Sequence, residues 1–438
     1  MEYTTLRIQI TEIAQSRKIT IREAGAEKQI VILRKMLRLF ETLPDGRVQG
    51  RTLYPMGSLV LMMFLATLAG TNCCTEVEDF WNGNPKLYRK LFGMTEIPSH
   101  DTFRRILGLI KADEFNALLV DVVRKADSGI RRALNLSVPK KKIVSVDGKQ
   151  LRGTVRNMQD GEIRDLQILN FYEQDGETCT DSCSIEDKTN EIPVAQRELR
   201  AMNLKDTTVT FDALHSQTET VRIIAGNKGD YVGGLKGNHG KAKEFAERTF
   251  TEENMQKLRA NEACYCMTSE ISHNQLEQRE FFFYPLTGSE KRGCFADWSK
   301  VWAIVCMKKS MTGNIDGRHA EEIRHYITSL KDVEETAHCI RAHWNIENSL
   351  HWLLDTVMME DDLMLSDRNA ALNQSLMNKA CLSLYKKLSM LIGGKERISK
   401  KRLRKKFGWN FKGMCSQMLT LMDPLTLSRA IEIRDKTE

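Results

Sequence analysis

The order of short apolar runs between Lys140 and Leu235 constrains the fold most. A basic lead, Lys140-Lys141-Lys142, opens onto a short strand, Ile143 to Val146, that ends on Asp147 and Gly148. Two further strand-like runs follow, Leu166 to Tyr172 and about Cys179 to Ile185, with the hairpin turn Glu173-Gln174-Asp175-Gly176-Glu177 between them. The pattern then changes to a helix over Pro193 to Met202, a strand over Thr207 to Phe211 ending on Asp212, a helix over about 217 to 227, and a fifth strand over Tyr231 to Leu235. Three consecutive strands followed by alternating helix and strand predict an α/β fold, a mixed sheet flanked by helices.

The flanks read differently. Residues 1 to 38 form a polar helical extension, and 39 to 135 an all-helical domain. In that domain Ser58 to Ala69 is one apolar helix, Ser99 can cap a second, and Asp113 to Ala126 is amphipathic. The most apolar stretch, Leu59 to Ala69, is too short for a bilayer span of about 20 residues and suits a buried core helix. The sheet domain runs from 136 to 392. Residues 240 to 325 read as a β-rich insertion into it, with strands at Gln278 to Tyr284 and Val301 to Met307. Long helices are expected over Val333 to Met358 and Ala370 to Leu391. The last segment, 393 to 438, contains the basic run Lys395 to Phe407, read as a solvated helix or tail.

Bulk properties narrow the function class. Lys and Arg number 65 against 58 Asp and Glu, a net charge of +7 that is compatible with nucleic acid as a partner. The 11 cysteines lack the paired CxxC spacing of a zinc site, so reduced thiols are expected. The opening residues, Met1 to Arg17, do not read as a secretory signal peptide.

Chemistry at a phosphodiester needs an activated oxygen nucleophile and charge relief at the leaving oxygen, which converging carboxylates achieve through divalent ions. Asp147 and Asp212 each end an expected strand, and Glu347 sits mid-helix. His343, Glu347 and His351, at i, i+4 and i+8, share one helix face. Asn348 and His351 either orient Glu347 or pack a buried helix. Lys149, Arg152 and Lys236 contact DNA phosphate or serve solubility. Arg104 and Arg105, at the start of a helix, suit DNA contact or a solvated face.

Three blocks make the reading specific. The first is Val146-Asp147-Gly148-Lys149-Gln150-Leu151-Arg152-Gly153. The second runs from Lys188-Thr189-Asn190-Glu191-Ile192-Pro193 through Thr210-Phe211-Asp212-Ala213 to Leu235-Lys236-Gly237-Asn238. The third is His343-Trp344-Asn345-Ile346-Glu347-Asn348-Ser349-Leu350-His351-Trp352, followed by Leu354-Asp355 and Glu360-Asp361. The chain resembles the H-repeat-associated insertion-sequence transposases, DDE-type enzymes, over about residues 38 to 390. Leu214-His215 stands where that family often has Met-Gly. The resemblance implies an RNase H-like core whose first and fourth strands are neighbours, with Asp147, Asp212 and Glu347 as catalytic carboxylates binding Mg2+ or Mn2+. It further implies double-stranded DNA partners, namely terminal inverted repeats and target DNA, a homodimer or higher oligomer in the synaptic complex, no membrane, and a bacterial cytoplasmic location, nucleoid-associated when bound. Other readings are a transposition-defective DNA-binding protein derived from such an element, and a metal-dependent nuclease without strand transfer.

Overall fold

The computed structural model describes residues 5–22, 25–48, 50–157, 163–185, 190–272, 275–313, 319–392 and 398–435. Lys188 and Thr189 of the second block, and residues 395–397 of the basic run, lie outside them. The chain divides into two compact units. One comprises 1–139, 148–186 and 347–438; the other comprises 140–147 and 187–346.

Among the described residues, nine strands belong to one mixed sheet, flanked by helices. They are β1 (Lys142–Asn157), β2 (Ile163–Glu173), β3 (Thr178–Ser184), β4 (Thr207–Phe211), β5 (Asp230–Leu235), β6 (Tyr265–Ser272), β7 (Gln275–Pro285), β8 (Ala303–Gly313) and β9 (His319–Thr328). Their order is β3-β2-β1-β4-β5-β9-β8-β7-β6. The pairs β1–β4 and β4–β5 are parallel, and β9 turns the direction by pairing antiparallel with β5. The segment between 240 and 325 therefore lengthens the same sheet by four strands, with helices Gly240–Thr249 and Glu252–Arg259 preceding them. β1 does not stop at Asp147 as expected. Only Lys142 to Val146 pair with β4, which ends at Phe211, and β1 continues as a neighbour of β2 to Asn157.

The first unit is built around two long helices and a short buried one. Every residue of α1 (Met56–Ala69) is buried. Each large apolar side chain so removed from water contributes about 1.5–3 kcal/mol. The helix α2 (Ala112–Leu134) and the 25-residue Arg368–Ile392 helix pack on each other, and the Tyr385 hydroxyl donates to the Leu68 carbonyl of α1 at 2.6 Å. No single helix among the described residues is long and apolar enough to cross a membrane.

The N-terminal end of the chain differs from expectation, and the basic run near the other end takes the helical one of its two expected forms. Residues 17–21, read as helix, form a strand paired antiparallel with Ile431–Asp435. Alternation explains it: Ile19 and Ile21 point inward, 3% and 8% exposed, as a β-branched strand allows. The basic run is not a free tail. In the helix Lys400–Trp409, Leu403 and Phe407 are fully buried, while Lys401, Arg402 and Lys405 face water. Arg404 anchors it by donating to the Gly70 carbonyl at 2.9 Å and to Asn72 Oδ1 at 2.6 Å.

Candidate active site

The β1–β4 register brings two of the three acids together. Val146 pairs with Phe211, so Asp147 and Asp212 are the next residues on adjacent parallel chains. Two residues before each stands a hydroxyl: Ser145 Oγ lies 2.9 Å from Thr210 Oγ1, and both side chains are buried. Thr210 Oγ1 is also 3.2 Å from His343 Nδ1, near the end of the helix α3 (Val333–Asn345). That helix packs on β4 and β5. Its first turn is capped by Asp332, and Glu335 pairs with Lys141 of the basic lead at 2.6 Å.

The chain leaves this helix through a π-helical turn, Ile346–His351, before Trp352–Thr356 resumes the α form. The single helix expected over 333–358 is thus interrupted at Glu347. Such turns are rare and concentrate at functional sites. Glu347 sits four residues beyond His343, and its side chain is 56% exposed.

The Asp212 carboxylate is oriented by its own loop. Oδ1 accepts the backbone N–H groups of Leu214 at 2.9 Å and His215 at 3.3 Å. The loop is held in turn by Asn238, whose amide donates to the Ala213 carbonyl at 2.9 Å, and by His239, 2.7 Å from the Ser216 carbonyl. Gly233 makes room: a Cβ there would lie 2.4 Å from the Phe211 ring and 2.5 Å from Ser216 Oγ. Lys236, in the turn that carries Asn238, is exposed. His215 is buried, with Nε2 at 3.2 Å from Glu191.

In the first unit, Lys149 departs from its expected role as a phosphate contact. Its side chain is 7% exposed, and its ammonium lies 2.6 Å from Asp355 and 3.6 Å from Asp361. Burial works against the charge, but Glu360, Asp355 and Asp361 outweigh it and hold the Lys149 pKa above its ordinary value. An ammonium so enclosed is a structural counter-ion. Arg152 is the solvent-facing cation of this motif, with a side chain 76% exposed and only a loose 3.9 Å contact to Asp361. Gly153 is required where the Glu360–Asp362 turn crosses the strand, since a Cβ would meet the Asp361 carbonyl at 2.5 Å. His351 is buried and stands 3.4 Å from Glu347, whereas Asn348 is exposed. Arg104 and Arg105 sit mid-way along the helix His100–Leu109 and are exposed. Arg105 Nε donates to the Asp101 carbonyl at 3.2 Å, and Arg104 lies 3.7 Å from the Asp101 carboxylate.

Sequence reasoning gave no role to Ser145, Thr210 or Asn238, although the last two stand in the second block. The signal for Ser145 was available: it is the one hydroxyl in the apolar run Ile143–Val146, two residues before an acid, whereas Thr210 is one of three threonines in Thr207–Phe211.

Comparisons place the chain. Residues 139–384 match the family model described as Transposase DDE domain, and residues 37–122 match the model DDE_Tnp_1-associated. The chain belongs to the Transposase DDE domain family. It is similar to "Putative transposase YncI" of Escherichia coli O157:H7, 28% identical over 84% of this chain and 92% of the relative. It is also similar to "H repeat-associated putative transposase YhhI" of Escherichia coli K12, 26% identical over 77% of this chain and 87% of that one. A piggyBac transposase synaptic complex with hairpin DNA aligns over 97% of this chain and 81% of its own at 10% identity and a TM-score of 0.36, too remote a likeness to carry an argument.

Proposed function

We propose that this protein cuts DNA at the ends of a transposable element and joins the freed 3′-hydroxyls to target DNA. The observation that carries the reading is the register Val146↔Phe211, which sets Asp147 and Asp212 side by side. The strand order β3-β2-β1-β4-β5 supports an RNase H-like core, in which the first and fourth strands are neighbours. Asp147, Asp212 and Glu347 are the carboxylates that hold two divalent ions, Mg2+ or Mn2+. The donor set fits: all three are hard oxygen ligands, and Asp212 binds backbone through Oδ1, with Oδ2 left for an ion. Such an ion pair supplies charge relief at the attacking and leaving oxygens.

The rest of the chain positions the substrate. Arg152 and Lys236 present exposed charges for backbone phosphates, which fix register but carry no base information. Base preference belongs to the helical domain over 39–135, through Arg104 and Arg105. Two ends cut together call for at least a homodimer on DNA, acting in the bacterial cytoplasm.

A linear duplex carrying the short inverted repeats that flank the gene tests this reading. Strand cleavage and joining are expected with Mg2+ or Mn2+, with little chemistry in Ca2+, which differs in size and coordination. Full activity after chelation would refute the metal assignment. Cleavage without joining would leave a nuclease, and cognate binding without cleavage a DNA-binding protein.

A further inference from the structure

The nine-strand order ends on two unlike edges. At one end β3 packs against α2 and the Arg368–Ile392 helix. At the other, β6 pairs antiparallel with β7 from Tyr265 to Ser272, and among the described residues no second strand lies beside it. An edge strand offers a row of open N–H and C=O groups, and chains usually guard it with lysine, proline, a bulge or a very short run. The strand Tyr265-Cys266-Met267-Thr268-Ser269-Glu270-Ile271-Ser272 contains no lysine and no proline, and its eight-residue register with β7 is unbroken.

Alternation gives β6 two different faces. Cys266, Thr268 and Glu270 face α3: Cys266 Sγ lies 3.9 Å from the Val333 carbonyl, and the Arg341 guanidinium 2.6 Å from the Glu270 carboxylate. Arg279 of β7 holds the same carboxylate at 2.8 Å, so the one charged side chain of the strand is neutralised within its own chain. Met267, Ser269 and Ile271 point the other way and are exposed, Met267 by 52% and Ile271 by 76%. Leu276, opposite Ile271 on β7, extends this apolar patch.

Two such edges are self-complementary when they pair antiparallel about Ser269. A two-fold axis through that residue, perpendicular to the sheet, sets Met267 against Ile271 of the second copy twice on the exposed face. On the face towards α3 it sets Thr268 against Glu270 of the second copy. Thr268 Oγ1 is buried and has no hydrogen-bond partner among the described residues, an uncommon state for a polar atom. Directly opposed residues stand about 4.5–5.5 Å apart at Cβ, within reach of a hydroxyl and a carboxylate. A carboxylate has about four acceptor sites, so Glu270 can take that hydroxyl as well as its two arginines. Centring the pair on Glu270 instead would oppose two carboxylates, which destabilises a sheet.

We infer that β6 is the interface through which two copies of this chain join edge to edge, continuing one sheet across a dimer. Main-chain hydrogen bonds supply affinity, and the Met267–Ile271 pairs set the register. The two-fold uses the β6 edge of both copies, so assembly through it closes at two. The dimer rests on the strand edge and not on the proposed DNA chemistry, and it forms without DNA.

Sedimentation of the full chain without DNA is the test. Wild type is expected to be a dimer that dissociates on dilution. Met267→Lys combined with Ile271→Lys opposes lysine to lysine twice and should weaken the dimer by roughly a hundredfold or more. Met267→Lys combined with Ile271→Glu opposes lysine to glutamate in this register and should bring the dimer back to within about tenfold of wild type. Both positions are exposed, so circular dichroism should show the fold unchanged in either variant. A monomeric wild type, a larger assembly, or a double-lysine variant as dimeric as wild type overturns the inference. A lysine–glutamate variant no more dimeric than the double-lysine one also overturns it. Should either variant not fold, amide hydrogen exchange of wild type decides. Exchange over Met267–Ile271 is expected to slow as concentration brings the dimer together, and unchanged exchange there overturns the interface.

Discussion

The Thr210 hydroxyl lies 3.2 Å from His343 Nδ1 and joins a strand that leads to Asp212 to the helix that leads to Glu347. The same hydroxyl meets Ser145 at 2.9 Å, on the strand that carries Asp147. One buried oxygen thus ties together the three chain segments on which the proposed carboxylates ride.

Thr210→Val keeps the shape and removes that link. It should cost about 1–3 kcal/mol, the usual penalty for disturbing a buried hydrogen-bonded group. Metal-dependent cleavage should fall with it, because the α3 end is no longer tied to β4. Thr210→Ser keeps the hydroxyl and should restore most of both. Urea unfolding and cleavage rate measured on the two variants check this, and equal behaviour of Val and Ser would remove the link from the account.

Lys149 and Arg152 should separate cleanly. Lys149→Met leaves Asp355 and Asp361 without their ammonium and leaves buried Glu360 with Lys379 as its remaining cation. It should destabilise by about 3 kcal/mol, near the lower end for breaking a buried pair, because both aspartates are 32% exposed. Arg152→Ala should change stability by less than about 0.5 kcal/mol, as exposed substitutions do. It should weaken DNA binding and lower the salt slope by about 1, the loss of one phosphate contact. Denaturation and DNA titration at two salt concentrations give both answers.

Much of this was legible in the chain. All five strands expected from apolar runs and turn residues between Ile143 and Leu235 are present, and Thr207–Phe211 agrees to the residue, although β1 runs on past Asp147 to Asn157. Long-range pairing was not legible. Residues 17–21 read as helix in isolation, and only their partner at 431–435 makes them a strand. Lys149 looked like a phosphate ligand because its three counter-ions lie about 200 residues further along the chain. Asn170, Ser182 and Lys379, buried and hydrogen-bonded in a line, carry no local signal at all, since their meaning comes from meeting across two strands and a helix.

Burial makes one lysine a pH probe. Lys386 lies fully inside the first unit, donating to the Tyr172 hydroxyl at 2.9 Å, and burial lowers its pKa from 10.5 to about 7 against the pull of Glu177. Between those values the unfolded chain holds a proton that the folded chain lacks, so stability should rise with pH from about 7 towards 10.5. The slope is at most about 1.4 kcal/mol per pH unit. Lys386→Met should flatten this rise. Denaturant unfolding of both proteins across that range checks the sign, and a parallel slope in the variant would contradict it.

DNA end preference should respond to Arg104→Ala and Arg105→Ala, which leave the fold intact because both side chains are exposed. Deleting residues 1–130 is not an equivalent test: it would remove all of α2 but Arg131–Leu134 and strip α1 from the Arg368–Ile392 helix. The double variant should lose roughly tenfold or more of its discrimination between a cognate end and random DNA, as lost base contacts do. Competition binding measures it. Undiminished discrimination would move base readout to another part of the chain.

The central claim is that Asp147 and Asp212, paired through their strands, bind the ions that cut DNA. Asp147→Asn keeps the size of the side chain and removes its charge. The decisive measurement is cleavage of an inverted-repeat duplex by this variant in Mn2+, alongside its affinity for the same duplex. Cleavage should vanish while binding stays within about threefold of wild type, because a metal ligand is not a specificity contact. Cleavage at near wild-type rate by a folded Asp147→Asn protein would contradict the account.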